Sequence, residues 1–159
     1  MPESTVLIRP AAAQDIDAIA ALAGELGYPT SPDTIAAHLD RIRQAAPSQP
    51  AAVLVAELQG CADVVGWVHV CIPADLVKTD VADIWGLVVS SAHRGCGIGR
   101  TLMAAAEAWA IEHECRQVRL RSGSHRHEAH AFYQRLGYAV EKSQLTFARD
   151  LSGGDPSSR

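Results

Sequence analysis

Three short stretches of this 159-residue sequence combine residue types and spacings that can do chemistry. The first is "RGCGIGRTLM", Arg94 to Met103, where Gly95, Gly97 and Gly99 crowd together directly before a helical pattern. Glycine is a poor helix former and marks backbone that bends unusually or lies close against something. Between a strand and a helix, such a loop is an anion cradle: backbone N–H groups and the helix dipole face the anion, and missing side chains let it approach. The second stretch, "HRHEAHAFYQRLGY", sets Tyr133 on a short helix behind three histidines, His125, His127 and His130. The third, "VADIWGLVV", places one carboxylate, Asp83, and one indole, Trp85, inside an apolar strand run.

The spacing of the glycines sorts the phosphate-binding devices. A Walker A loop needs GxxxxGK[ST], but five residues after Gly95 stands Arg100, and no lysine follows. A dinucleotide fingerprint needs GxGxxG, and both possible frames end on the wrong residue, Arg100 or Leu102. What remains is Arg94-x-x-Gly97-x-Gly99. It resembles the acetyl-CoA pyrophosphate loop of the GCN5-related N-acetyltransferase (GNAT) family, whose pattern is Arg/Gln-x-x-Gly-x-Gly/Ala. "RHEAHAFYQRLGY" resembles the later family segment NxxAxxFYxxxGF, with Ala129, Phe132, Tyr133, Gly137 and Tyr138 in register. Arg126 replaces the usual Asn and Tyr138 the usual Phe. With the opening "IRPA…D…I", the resemblance spans residues 5 to about 151. Within the family, "LVVSSAHRG" and the Arg126 segment look most similar to the branch that includes aminoalkylphosphonate N-acetyltransferases.

The resemblance implies an α/β fold: a single-domain GNAT fold with a mixed, mostly antiparallel central sheet, helices on both faces, and splayed strands holding acetyl-CoA. It implies that the amides of Gly95, Cys96, Gly97, Ile98, Gly99 and Arg100 face the pyrophosphate, with Arg94, Arg100 and Arg126 adding charge. Arg126 can do so only as a donor. Leu87, Val88 and Val89 become the ledge for the pantetheine arm, and the N–H of Val88 or Val89 faces the thioester oxygen. Tyr133 takes the place of the family's thiolate-protonating tyrosine, although a helix aromatic beside Phe132 also serves as core packing.

Acyl transfer to an amine needs a neutral nucleophile, and a free alkylamine with a pKa of about 10 arrives as ammonium. Asp83 is the first choice of base, acting through a water, against the plainer reading of a solvated strand carboxylate. His69 is the reserve. Tyr28, Trp85, the second helix and the loop Ile72 to Asp80 are the expected acceptor-binding parts. The histidines of "HRHEAH" lack HExxH spacing, so no metal is expected. Cys96 reads as a loop residue beside phosphate, because direct attack by the amine needs no covalent cysteine.

The elements that must position these residues follow from periodicity. Strand-like runs begin at Thr5, Ala52, Asp63, Val81 and Gln117, helical spacing runs from Ile16, Ser31, Ile98 and His127, and two last strands are expected at "YAVEK" and "QLTFARDL". On α-helical spacing, Ile98, Leu102, Ala105 and Trp109 form the core stripe of the third long helix. One domain over residues 1–151 and a disordered tail at 152–159 are expected. The chain carries a net charge of −4 and no broad basic face, so nucleic acid is not the expected partner. Four cysteines without a CxxC pair, no signal-peptide pattern and no membrane-length apolar run point to the cytoplasm. The expected activity is acetyl-CoA-dependent acetylation of a small-molecule primary amine. A protein N-terminus or lysine as acceptor, or a non-catalytic acyl-CoA sensor, are the alternatives, and a homodimer is open to it.

Overall fold

The computed structural model describes residues 5–153. In chain order the elements are β1 (Val6–Pro10), α1 (Ile16–Glu25), α2 (Pro32–Arg43), β2 (Ala51–Leu58), β3 (Val64–Cys71), β4 (Val81–Val89), α3 (Ile98–Glu112), β5 (Gln117–Leu120) and α4 (His127–Arg135). Backbone contacts gather them into two compact units, one ending at Arg121 and the other beginning at Ser122.

The first unit is built on a five-stranded sheet in the order β1-β2-β3-β4-β5. Its first four strands are antiparallel, and β5 lies parallel to β4 because α3 carries the chain back between them. Alternation divides the sheet's two faces. Val55 and its cross-strand partner Trp67 pack with Ile19 of α1 and Leu39 of α2. The neighbouring residue, Gly66, turns to the opposite face, where a Cβ would meet the Leu102 side chain of α3 at 3.1 Å. Helices therefore cover both faces, as the sequence implies.

Local signals set the helix ends. The Ser31 hydroxyl accepts the Thr34 N–H at 3.2 Å, and Pro32 occupies the first turn of α2, where no intrahelical N–H is needed. In α3 the buried stripe is Ile98, Leu102, Met103, Ala106 and Ala110. This corrects the expected Ala105 and Trp109, which are only half-buried; Trp109 stacks instead on His113, ring centroids 4.1 Å apart. No helix of the described residues is long and apolar enough to cross a membrane.

The second unit holds α4 and the segment after it. The two strands expected there do not form: residues 138–150 have no regular secondary structure, and Val140, Leu145 and Phe147 are exposed. Period-two patterning makes a segment able to pair, but a strand exists only where a ladder partner supplies the hydrogen bonds. The tail expected to be disordered falls from residue 154 onward outside the described residues.

One ionic cluster ties the start of the chain to the sheet. Asp15, only 2% exposed, takes both terminal nitrogens of Arg9 at 2.7 and 2.9 Å and the Ala12 N–H at 2.7 Å. Arg9 Nε reaches across to Glu57 of β2 at 2.7 Å. The Arg9 guanidinium holds the Asp15 carboxyl below the ordinary carboxylate range, against the opposing effect of burial. Replacing Asp15 with Asn should therefore cost about 3 kcal/mol, the low end for breaking a buried pair, since Arg9 keeps Glu57. Denaturant titration should show that gap above the carboxylate range. It should close as pH falls through Asp15's depressed value, where the wild type loses the pair as well.

Candidate active site

The stretch between β4 and α3 turns on two left-handed residues, Gly95 (φ +79) and Gly97 (φ +77), the second being the N-cap of α3. Any Cβ at either position would be strained by the backbone itself, and none would meet an atom within 4 Å. Glycine is thus required at 95 and 97 by the sign of φ, and the space above both residues stays open. Gly99 lies in the first turn of α3, in ordinary helical backbone. No side chain caps this helix and no acidic residue stands in its first turn. The first amides of a helix lack intrahelical partners, so those of Ile98, Gly99 and Arg100 are donors at the positive end of a dipole. Cys96 is exposed, its sulfur 3.8 Å from the Arg94 carbonyl.

Just upstream, β4 loses one of its neighbours. Its pairing with β5 runs from Val81↔Gln117 to Ile84↔Leu120 and stops, while among the described residues β4 continues to Val89 paired with β3 alone. At that point β4 also carries a bulge: His69 and Val70 of β3 are opposite Gly86 and Ile84, leaving Trp85 as the extra residue. The hydrogen bonds fix which amides face the open side. The Ser90 N–H donates to Val65 of β3 at 2.7 Å, and the Val88 carbonyl lies 2.8 Å from where a Gly66 Cβ would sit. By alternation Val88 faces β3, whereas the N–H groups of Leu87 and Val89 face the edge that β5 has left. Arg94 confirms that direction, its Nε donating to the Val89 carbonyl at 3.3 Å. Of the two amides considered for the thioester oxygen, only that of Val89 is turned outward.

Asp83 is not a solvated carboxylate. It is 3% exposed and takes Arg119 Nε on one oxygen at 2.9 Å; the other oxygen takes Arg119 at 3.3 Å and Arg121 at 3.5 Å. Its strand partner across β5 is Arg119 itself, one rung before the pairing ends. Sequence alternation puts Arg119 and Arg121 on one face, but only the register reveals what they face. On the same side of the sheet, burial adjacent to the Asp83 charge pushes the Cys71 thiol up to about 12, so this cysteine stays a thiol. His69 sits edge-on to Trp85, ring centroids 5.5 Å apart, and Trp85 is 61% exposed. Burial lowers the His69 pKa, and the His38 charge on α2 lowers it further. His38 has no motif signal, because its role comes only from the packing of α2. Tyr28 is exposed in the turn after α1.

In the second unit, Tyr133 of α4 packs edge-on to Phe132 at 5.1 Å and Tyr138 at 6.0 Å. Burial raises its pKa and the Arg126 charge partly opposes this, so the phenol keeps its proton at neutral pH. Arg126 is the N-cap of α4 and makes no side-chain cap, since a guanidinium cannot accept from the helix amides. His130 Nε2 lies 2.9 Å from the Gly123 carbonyl. No group of three or more His, Cys, Asp or Glu among the described residues is placed to hold a metal ion.

The acetyltransferase (GNAT) family profile matches residues 16–138. The chain belongs to the GNAT family. As a GNAT protein it is an acetyltransferase, with acetyl-CoA as co-substrate. No curated protein matches it as a relative. Among solved structures it is similar to AAC(6')-Iy in complex with the bisubstrate analogue CoA-S-monomethyl-acetylneamine, at 20% identity and TM-score 0.80, covering 92% of this chain and 99% of that one. It is similar to glucosamine-6-phosphate N-acetyltransferase from Arabidopsis thaliana at 20% identity and TM-score 0.77, over 92% and 99% of the chains. A putative acetyltransferase from Agrobacterium tumefaciens is 26% identical at TM-score 0.75, over 90% and 99%.

The environment of His69 gives this GNAT protein a pH signature. Its imidazole should titrate below 6.5 in an NMR pH series. The unfolded histidine takes its proton first, so the residue contributes stability above 6.5 that is lost as pH falls through its folded value. His69→Gln should remove that part of the stability slope, and an imidazole titrating at or above 6.5 would contradict the assignment.

Proposed function

We propose that this chain transfers acetyl from acetyl-CoA to the primary amine of a small molecule by direct attack. The observation that carries this reading is the open edge of β4, with outward amides at Leu87 and Val89, beside an uncapped helix start reached through two left-handed glycines. A pyrophosphate suits the amides of residues 95–100, with Arg94, Arg100 and Arg126 as cationic partners. An extended amide-bearing arm suits an unpaired strand edge, as in strand addition. The Val89 N–H is a donor for the thioester oxygen as negative charge builds on it.

In the reaction, the amine nitrogen bonds to the acyl carbon and the carbon–sulfur bond breaks; the ammonium gives up two protons, one before attack and one to solvent as the tetrahedral intermediate collapses, and the amide keeps the third. We assign the first deprotonation to His69 in preference to Asp83. Both Asp83 oxygens are held by guanidinium groups, so protonating it means breaking a buried pair. His69 is neutral at neutral pH, and the exposed Trp85 beside it offers a face for an approaching ammonium. Tyr133, kept as a phenol by burial, gives its proton to the departing thiolate. Tyr28, Trp85 and the loop from Ile72 to Asp80 line the acceptor side. The named activities of AAC(6')-Iy and the Arabidopsis enzyme, on an aminoglycoside and on an amino sugar phosphate, favour a small amine over a protein acceptor. Four free cysteines suit the cytoplasm, where thiols stay reduced. An acyl-CoA sensor has no use for a retained phenol at position 133.

A panel of small primary amines, read by thiol release from acetyl-CoA, tests the reading; activity on none of them, with acetyl-CoA bound, would favour the sensor. Gly97→Glu should abolish acetyl-CoA binding in calorimetry, since it strains the left-handed cap and sets a carboxylate among the phosphate donors. A folded Gly97→Glu protein with normal affinity would overturn the loop assignment.

Tyr133→Phe keeps the ring and its packing and deletes only the phenolic proton. It should lower kcat by about 10²-fold, a usual general-acid contribution, with acetyl-CoA affinity nearly unchanged. Unaltered turnover would return Tyr133 to a packing role.

A further inference from the structure

Asp83 is met by more positive charge than its own pairing needs. Arg119 alone reaches both of its oxygens, Nε on one at 2.9 Å and a terminal nitrogen on the other at 3.3 Å, a fork-to-carboxylate pairing that closes the ion pair. Arg121 adds a second guanidinium to the same carboxylate through one terminal nitrogen at 3.5 Å, the outer limit of a hydrogen bond. Its side chain is 63% exposed, against 16% for Arg119 and 4% for Asp83. Among the described residues this is the ion pair that Arg121 makes, and most of its fixed fork of donors is left over. Asp75, whose carboxylate takes the Val77 and Lys78 N–H groups at 2.8 and 3.2 Å, lies within range of the Arg119 and Lys78 charges. Arg119, Arg121 and Lys78 thus stand against Asp83 and Asp75, which leaves one cation in excess.

That excess lies on the acceptor side, and all of these residues belong to the first unit. Cys71 is the cross-strand partner of Asp83, and His69, two residues back on β3, shares its face. His69 is edge-on to the exposed Trp85, and these are the two groups assigned above to the incoming amine. Two strand residues and one strand spacing separate His69 from Asp83, about 7 Å along the sheet and about 5 Å across it. A guanidinium at that range repels a bare ammonium and favours one that brings its own anion. An amine with an oxyanion a few bonds away, plus a hydrogen bond of about 3 Å at each end, fits the span.

We propose that Arg121 is a specificity-determining residue that binds an oxyanion, carboxylate or phosphate, carried by the acceptor a few bonds from its amine. The acceptor is then a small zwitterionic amine, which rests on the amine transfer proposed above and narrows its substrate class. The planar guanidinium suits either oxyanion through two parallel hydrogen bonds. Because that contact is made away from the reacting atoms, it is present before and during the transition state and is felt in KM.

Steady-state kinetics on two matched pairs test this at saturating acetyl-CoA: β-alanine against β-alaninamide, and O-phosphoethanolamine against 2-methoxyethylamine. The anionic member of at least one pair should have a kcat/KM about 10-fold or more above its neutral partner, the gain usual for hydrogen bonds to a charged group. Which pair shows it tells carboxylate from phosphate. Arg121→Gln should bring that ratio close to one, mainly through KM, and Arg121→Lys, which keeps the charge and loses the fork, should restore part of it. Calorimetry with acetyl-CoA reports whether each variant is folded, and the wild-type ratios need no variant at all. Neutral members used as well as the anionic ones, or a preference that survives Arg121→Gln, would overturn the assignment. Turnover of other amines but none of these four would also overturn it and leave the transfer reading intact. No turnover of any amine, with acetyl-CoA bound, would remove both.

Discussion

The arrangement depends on where β4 and β5 part. A strand inside a sheet normally has its backbone donors and acceptors used on both sides, and main chain left bare in this way is available to a ligand. Here β4 pairs with β3 from Asp83 to Val89 but with β5 only as far as Ile84. The Asp83–Arg119 pair stands one rung before the separation, with Arg121 on the same carboxylate. Burying a carboxylate is costly unless its charge and lone pairs are met, and here guanidinium groups meet both oxygens. The pair fastens β5 to β4 one rung before they separate, so that the edge beyond begins at a fixed point.

The open edge and the start of α3 share a character: both present backbone, not side chains. Leu87 and Val89 offer amides because of strand alternation, and residues 97–100 offer them because a helix cannot satisfy its own first donors. Recognition through main chain restricts sequence at few positions, chiefly Gly95 and Gly97, where φ is positive. Elsewhere the residues are free to vary as long as the elements persist. The likeness at TM-scores of 0.75 to 0.80 with identities of 20% to 26% shows that persistence of fold.

Burial drives two proton-carrying side chains to neutrality from opposite directions. It lowers the His69 pKa and raises that of Tyr133, because desolvation opposes whichever form is charged. At neutral pH one is an acceptor and the other a donor; burial is the larger cause in each, and the charges of His38 and Arg126 modify the result only secondarily. Asp15 and Asp83 show the contrary case, buried carboxylates matched by arginine. The same loss of water thus leaves His69 and Tyr133 neutral, where nearby charges act only weakly, and makes structural clamps where an arginine meets a carboxylate.

Much of this was legible in the sequence because it is decided within a few residues. Helix and strand periods, the Ser31 cap with Pro32, the stop at Gly27 and the glycine approach to α3 depend on neighbours a turn away, and each stands where the pattern puts it. The family motifs are likewise contiguous. What depends on register or packing was decided only by the tertiary structure. The partner of Asp83 is set by how β5 aligns on β4, thirty-odd positions along the chain. The choice between the Val88 and Val89 amides depends on which of them β3 consumes, and the shift of the α3 stripe from Ala105 and Trp109 to Ala106 and Ala110 on the sheet it must cover. The strands expected after Tyr138 show the limit most directly: alternation makes a segment competent to pair, but a ladder is a property of two segments, and the second is never written in the first.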